Sequence, residues 1–146
     1  MWNYLFRSPD QSERSAMRQA NSNVETILIV EDEPVIGEMC RRVLAGEGFR
    51  VTLASNGKAA IDALEEREYD LCLIDIRTPE MNGIELYGHL EKKYPTMVSK
   101  IVFTTGDVIN GNIKTFLDRT SRPCLPKPFT PDKLKAIVRN ALIRNR

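Results

Sequence analysis

The chain has 146 residues, 42% hydrophobic and 28% charged, with Lys+Arg 21 against Asp+Glu 20 and a net charge of +1. That is the size of one ordinary domain able to close its own core, and it sets up no overall field favouring nucleic acid or an acidic membrane surface. No apolar run approaches the roughly 20 residues that cross a bilayer, and the opening MWNYLFRSPDQ lacks the apolar core and cleavage site of a signal peptide.

Residues 1–24 stand apart. After Trp2, Tyr4, Leu5 and Phe6 the stretch RSPDQSERSAMRQANSN is polar and aperiodic. Ser8-Pro9-Asp10 can cap a short helix, but that helix has little beyond Met17 to bury, so a flexible leader or a short helix is expected. The four large apolar residues among the first six suit docking on the domain or on a second copy.

From residue 25 the pattern is regular and reads as one domain over 25–146. TILIV (26–30) is a short buried strand. PVIGEMCRRVLAGEG is helical, with Val35, Ile36, Met39, Val43 and Leu44 as its apolar positions and Gly46 and Gly48 as its stop. FRVTLAS (49–55) reads as a strand, and GKAAIDALEERE (57–68) as a helix turning Ile61 and Leu64 inward. DLCLIDI (70–76) is the next strand and GIELYGHLEKKY (83–94) the next helix, ended by Pro95. KIVFTT (100–105) follows as a strand. VINGNIKTFLDRT (108–120) is a helix weakened by Gly111 and its asparagines. PCLPKPF (123–129) holds a short last strand. TPDKLKAIVRNALIR (130–144) is a helix capped by Thr130, with Pro131 at its first position and Leu134, Ile137, Val138, Ala141 and Leu142 inward.

Five apolar strands alternating with helices predict an α/β fold with a parallel sheet covered on both faces. Right-handed crossovers favour a doubly wound, five-stranded sheet of order 2-1-3-4-5. Ligands in such sheets bind beyond the carboxyl ends of the strands, where the order reverses. At that rim the sequence places Glu31 and Asp32 after the first strand, Asp75 at the end of the third, Thr104-Thr105-Gly106 at the fourth, and Lys127-Pro128-Phe129 after the fifth. Crowded carboxylates repel one another, and a hard divalent cation relieves that repulsion: Mg²⁺ best, with Mn²⁺ able to substitute. A carboxylate kept ionised beside a metal can act as a nucleophile and form an acyl phosphate. An ammonium and the cation would neutralise the phosphoryl oxygens.

ILIVEDEP, DIRTPEMNG, TTG and KPF, in this order and on these elements, resemble the receiver domain of two-component response regulators, a flavodoxin-like fold. The resemblance runs from Glu25 to about Arg144 and extends to the receivers of hybrid sensor histidine kinases. It implies that Asp75 is the phosphoacceptor, that Asp32 ligates the metal directly, and that Glu31 holds a metal-bound water. Arg77 would lend its backbone carbonyl to the metal. Thr105 would be the switch hydroxyl and Lys127, before what the family usually makes a cis proline, the phosphoryl-contacting ammonium. A one-residue slip would exchange Thr105 with Thr104, and Gly106 favours Thr105. The phosphodonor implied is a phosphohistidine on a sensor histidine kinase or a phosphotransfer domain. Phosphorylation would shift the face around strands 4–5 and helices 4–5 and so control a partner.

Two departures stand out. Thr78 replaces the usual Met before Pro79, which alters loop packing more than chemistry. Cys124 stands where the family usually has the aromatic residue that swings inward, and its plain reading is a small buried hydrophobe. Arg77 and Asp107 occupy positions that flank the phosphoryl group, and pairing across the site would slow attack by water. Asp10, Asp62 and Glu65 read as surface charges and His89 as solvent-exposed. Lys133, Lys135, Arg139, Arg144 and Arg146 read as the wet side of the last helix, without the aromatic interleaving or charge surplus of a nucleic-acid binder. Cys40, Cys72 and Cys124, odd in number and without paired spacing, argue against a disulfide framework or a zinc site.

The expected function is a cytoplasmic phosphorelay switch that catalyses only its own phosphorylation and dephosphorylation. Its partners would be the kinase or phosphotransfer domain and, in a homodimer, a second copy, without nucleic acid or membrane. With no output domain after the last helix, the output would pass to a partner. Two other readings compete: a Mg²⁺-dependent phosphatase or phosphotransferase using Asp75, and a receiver-like interaction module that never carries phosphate. The first lacks a second acid near Asp75 to protonate a leaving group. The intact acid set opposes the second.

Overall fold

The computed structural model describes residues 10–13, 24–107 and 109–145. The expectations for Trp2, Tyr4, Leu5, Phe6, Met17 and Arg146 lie outside these. Asp10 and Glu13 cap each other reciprocally, side chain to backbone N–H, over one helical turn.

The elements run β1 (Thr26–Val30), α1 (Pro34–Gly46), β2 (Arg50–Ala54), α2 (Gly57–Glu66), β3 (Leu71–Asp75), α3 (Gly83–Lys93), a 3₁₀ turn (Pro95–Lys100), β4 (Ile101–Thr105), α4 (Gly111–Thr120), β5 (Cys124–Pro126) and α5 (Pro131–Arg144). All strand pairs are parallel and the order is β2-β1-β3-β4-β5. Every residue of β3 is buried, as the central strand of a two-sided sheet must be.

Strand side chains alternate between the two faces. Leu28, Val30, Cys72, Ile74, Ile101 and Phe103 pack beneath α2, α3 and α4. Ile27, Ile29, Leu71, Leu73, Val102 and Leu125 pack against Cys40 and Leu44 of α1 and Leu134, Val138, Ala141 and Leu142 of α5. Three local devices hold the helices in place. Asn56 caps α2 through Ala59 N–H, Asn82 and Glu85 form a reciprocal capping box on α3, and Thr130 caps α5.

The structure departs from the sequence reading at several places. Val35 does not face the core: it is 83% exposed, while Gly37, Cys40 and Leu44 are the buried residues of α1. The apolar positions of α1 therefore cover two faces, which periodicity alone does not separate. Pro95, expected to end the third helix, opens a 3₁₀ turn after it. The fourth helix begins at Gly111, because Asn110 accepts from the N–H groups of Asn112 and Ile113. The asparagines that looked like weakness thus form its cap and first turn, and Val108 lies outside the described residues. His89 is half-buried beside Tyr94, its Nε2 enclosed without a hydrogen-bond partner among the described residues. Lys135 and Arg139 of α5 reach Glu47 beyond α1, at 3.1 and 2.5 Å.

Candidate functional site

The carboxyl ends of β1, β3 and β4 meet the loop after β5 at one rim. Glu31, just past β1, and Asp75, the last residue of β3, are 8% and 4% exposed, whereas Asp32 faces solvent. Carboxylate oxygens of Glu31, Asp32 and Asp75 all lie within 4.8 Å of one another. Lys127 reaches in from the loop after β5, its Nζ 2.5 Å from Glu31 Oε1 and 2.9 Å from Asp75 Oδ2. The peptide between Lys127 and Pro128 is cis. Lys127 N–H donates to Thr105 O at 2.8 Å, tying this loop to β4.

Burial pushes the Glu31 carboxyl up to about 7, against the opposing pull of Lys127 and with the neighbouring Asp75 adding to the rise. Burial alone would lower the Lys127 ammonium, but its bonds to Glu31 and Asp75 raise it instead. One cation thus holds two buried acids, and Asp32 offers a third oxygen ligand on the open side.

The loop after β3 is pinned from both ends. Arg77 N–H donates to Asp75 Oδ1 at 3.2 Å. Thr78 Oγ1 donates to Met81 O at 2.9 Å, and Gly57 N–H, at the start of α2, donates to the same carbonyl at 3.1 Å. Thr78 is therefore a buried loop clamp. A Cβ on Gly57 would lie 2.6 Å from Met81 O, so only glycine permits this approach. Gly83 starts α3 flush against β3, where a Cβ would sit 2.8 Å from Ile76 Cα and 3.0 Å from Asp75 O.

Across the rim, the Arg77 guanidinium pairs with the Asp107 carboxylate, both partly exposed. Thr105 is fully buried, and its Oγ1 accepts from Asp107 N–H at 3.1 Å. Thr104 stands opposite Asp75 in register, and Thr105 shares the sheet face of Phe103. Cys124 begins β5, half-buried against that same face, with burial pushing its thiol up to about 11. The rings there come from elsewhere: Phe116 of α4 packs on Phe103 at 5.3 Å and on Tyr87 of α3 at 5.4 Å.

All six sequence-predicted site residues, Glu31, Asp32, Asp75, Arg77, Thr105 and Lys127, lie at or beside this rim. Sequence reasoning missed Glu33, whose carboxylate is 3.7 Å from Lys127 Nζ. Its signal was the unbroken acid run Glu31-Asp32-Glu33. The Gly57–Met81–Thr78 clamp left no signal in the sequence, because its partners come together only in the fold.

The family model "Response regulator receiver domain" matches residues 27–139. The chain is 36% identical over 123 residues to the DNA-binding response regulator MtrA of Mycolicibacterium smegmatis, covering 83% of this chain and 52% of that protein. It is 33% identical over 117 residues to the transcription factor SKN7 of Candida albicans, covering 80% of this chain and 21% of that protein. The chain thus spans from a fifth to about half of the length of these relatives. Among solved structures, the response regulator TrrA of Thermotoga maritima, in complex with Mg²⁺-BeF, is 30% identical with a TM-score of 0.70, covering 81% of this chain and 99% of that one. A CheY-like receiver domain protein from Methanospirillum hungatei is 27% identical with a TM-score of 0.76, covering 84% and 96%.

Proposed function

The chain belongs to the response regulator receiver domain family of two-component signalling, and we propose that it works as a phosphorylation switch with Asp75 as the phosphoacceptor. The observation that carries this reading is the contact of one ammonium with two buried carboxylates, Lys127 Nζ at 2.5 Å from Glu31 and 2.9 Å from Asp75. Burying such a cluster is costly even when it is paired, and clusters of perturbed ionisable groups gather at functional sites.

Asp75 attacks the phosphorus of a phosphohistidine on a sensor histidine kinase or phosphotransfer domain. The N–P bond breaks, an acyl phosphate forms on Asp75, and the leaving imidazole takes up a proton from solvent. Lys127 moves from the carboxylates to the transferred phosphoryl oxygens. Thr105 presents its hydroxyl to the same group, and the Gly57–Met81–Thr78 clamp holds the loop that positions Arg77.

Glu31, Asp32 and Asp75, with the Arg77 carbonyl, form a hard oxygen set with one open side, which suits Mg²⁺ and admits Mn²⁺. When bound, that cation would neutralise charge on the phosphoryl oxygens. The Mg²⁺-BeF complex of TrrA supports this choice of ion.

The described helices include none long and apolar enough to cross a membrane. Output is proposed to run through β4, β5, α4 and α5, beginning at Thr105. The aromatic trio Tyr87, Phe103 and Phe116, next to Cys124, would carry the packing change that a ring at Cys124 would otherwise make. Residues 1–24 are proposed to be a leader to the domain at 25–146.

Incubation with Mg²⁺ and a small phosphodonor, read by intact mass, should add one phosphoryl group to the wild-type chain and none to Asp75→Asn. No gain on the wild type, or an undiminished gain on the variant, sinks the assignment.

A further inference from the structure

We propose that a hollow at the amino ends of β4 and β5 binds a small phosphate dianion, either inorganic phosphate or the phosphoryl end of a phosphomonoester. The hollow holds about 330 Å³, at the low end of small-ligand sites. Ser99 lines it from the 3₁₀ turn before β4, Ser121 and Arg122 from the link between α4 and β5, and Asn140, Arg144 and Asn145 from the end of α5. Asp75 and Lys127 lie at the carboxyl ends of the strands, on the other side of the sheet's length. The hollow is therefore separate from the rim and does not depend on the phosphoacceptor reading.

Two guanidiniums share this hollow without a countercharge. Burial lowers the Arg122 guanidinium from its ordinary value, and the like charge of Arg144 works in the same direction, against Tyr87. No acidic residue lines the hollow. Elsewhere on α5, Lys135 and Arg139 meet Glu47 at 3.1 and 2.5 Å, whereas Arg144 has no ion pair among the described residues. Like charges brought together repel, and an ion of the opposite sign relieves the repulsion.

Arg122 is fixed in place by the backbone. Its Nε donates to Ile101 O at 3.1 Å and its Nη2 to Ser99 O at 2.8 Å. A guanidinium carries five N–H groups, so these two bonds leave the others for a ligand. The carbonyls nearby are already taken. Asn145 Nδ2 donates to Ser99 O and Ala141 O, both at 2.9 Å, and Asn145 N–H donates to Leu142 O and Ile143 O. These bonds close the carboxyl end of α5, whose open carbonyls would otherwise repel an anion. The hydroxyls of Ser99 and Ser121 and the amide of Asn140 have no protein partner among the described residues, so they add neutral donors to the two cations. Charge then decides the ligand class. Two guanidiniums match a dianion with three terminal oxygens, whereas a carboxylate brings one charge and two oxygens. A nucleic-acid phosphodiester also brings one charge per phosphate.

The experiment titrates sodium phosphate into the full, isotope-labelled chain in EDTA, against sodium chloride at equal ionic strength, and follows the amide resonances. Without metal or phosphodonor, its outcome is independent of whether Asp75 accepts phosphate. Saturable shifts should centre on Ser99, Ser121, Arg122 and Asn140 and leave Gly106 and Lys127 in place. Arg144→Gln should weaken binding about tenfold, the worth of one charged hydrogen bond. Arg144 is exposed, so the amide spectrum of this variant should otherwise match the wild type. Lys133→Gln, which removes a cation of α5 outside the hollow, should bind as the wild type does. Glucose 6-phosphate binding more tightly than phosphate assigns a phosphomonoester, and binding no more tightly assigns inorganic phosphate; either sustains the site. Shifts that chloride reproduces, shifts centred on Lys127, undiminished binding in Arg144→Gln, an equal loss in Lys133→Gln, or acetate or oligothymidylate binding as well as phosphate would each overturn the proposal.

Discussion

Replacing Lys127 with methionine removes the cation that Glu31 and Asp75 share, at 2.5 and 2.9 Å, while keeping most of the stem volume. Both carboxylates are buried, so the variant leaves two acids in low dielectric without a countercharge. Breaking a buried pair from one side costs about 3–5 kcal/mol. The lower end applies here, since the Lys127 side chain is itself 13% exposed and water can approach. Glu31 offers a further escape, because burial already holds its carboxyl near 7, well above its ordinary 4.5. Its folded value is raised, so its stabilising contribution is full below about 4.5 and is lost as pH rises through 7. Without Lys127 the carboxyl rises further, and the variant loses stability with rising pH more steeply than the wild type. In EDTA at pH 8 the expected loss is about 3 kcal/mol, or about 12 °C in midpoint for a domain of this size, with a smaller gap at pH 6. Mg²⁺ should narrow the gap by supplying the missing charge. Thermal unfolding followed by circular dichroism measures it. A midpoint within about 3 °C of wild type in EDTA at pH 8 would refute the claim that this ammonium holds the acids together.

The remaining predictions test the loop, the rim, the core and the thiols. Gly57→Ala forces a Cβ to 2.6 Å from Met81 O and should cost about 1–3 kcal/mol in urea unfolding despite the better helix propensity of alanine; an unchanged midpoint would mean the clamp is loose. Arg77→Ala, which frees Asp107, should speed loss of the phosphoryl group several-fold by opening the site to water, and an unchanged decay rate rejects the shielding role. Phe103→Ala removes the hub of the aromatic trio and should cost about 3–5 kcal/mol; a loss below 1 kcal/mol would place the packing elsewhere. Burial pushes Cys40 and Cys124 up to about 11 and Cys72 to about 12. With folded values raised, stability is full below the unfolded thiol range and falls as pH climbs through 9 to 11. Iodoacetamide at pH 8 should therefore label native protein slowly and urea-unfolded protein fast, and equal rates would count against the burial argument.

The alternation of five apolar runs with amphipathic stretches is local information, and it was enough to place the five strands and the helices between them, while the sheet order came from the handedness of the crossovers. Glu31, Asp32 and Asp75 were readable for the same reason: a carboxylate directly after a buried strand needs a function or a partner. The Asn110 cap and the 3₁₀ turn were not readable, since a cap and a weak helix look alike in composition. Val35 and Leu44 share one periodic pattern, yet only packing against β1 and α5 decides that Leu44 is core and Val35 is surface. The same holds for Gly57, Thr78 and Met81, and for Tyr87, Phe103 and Phe116, whose partners are separated by many residues and meet only when the crossovers bring α2, α3 and α4 together. Periodicity reports which side of an element is apolar; which atoms face one another across 52 residues, as Lys127 and Asp75 do at 2.9 Å, depends on strand register, and register is set by the folded sheet as a whole.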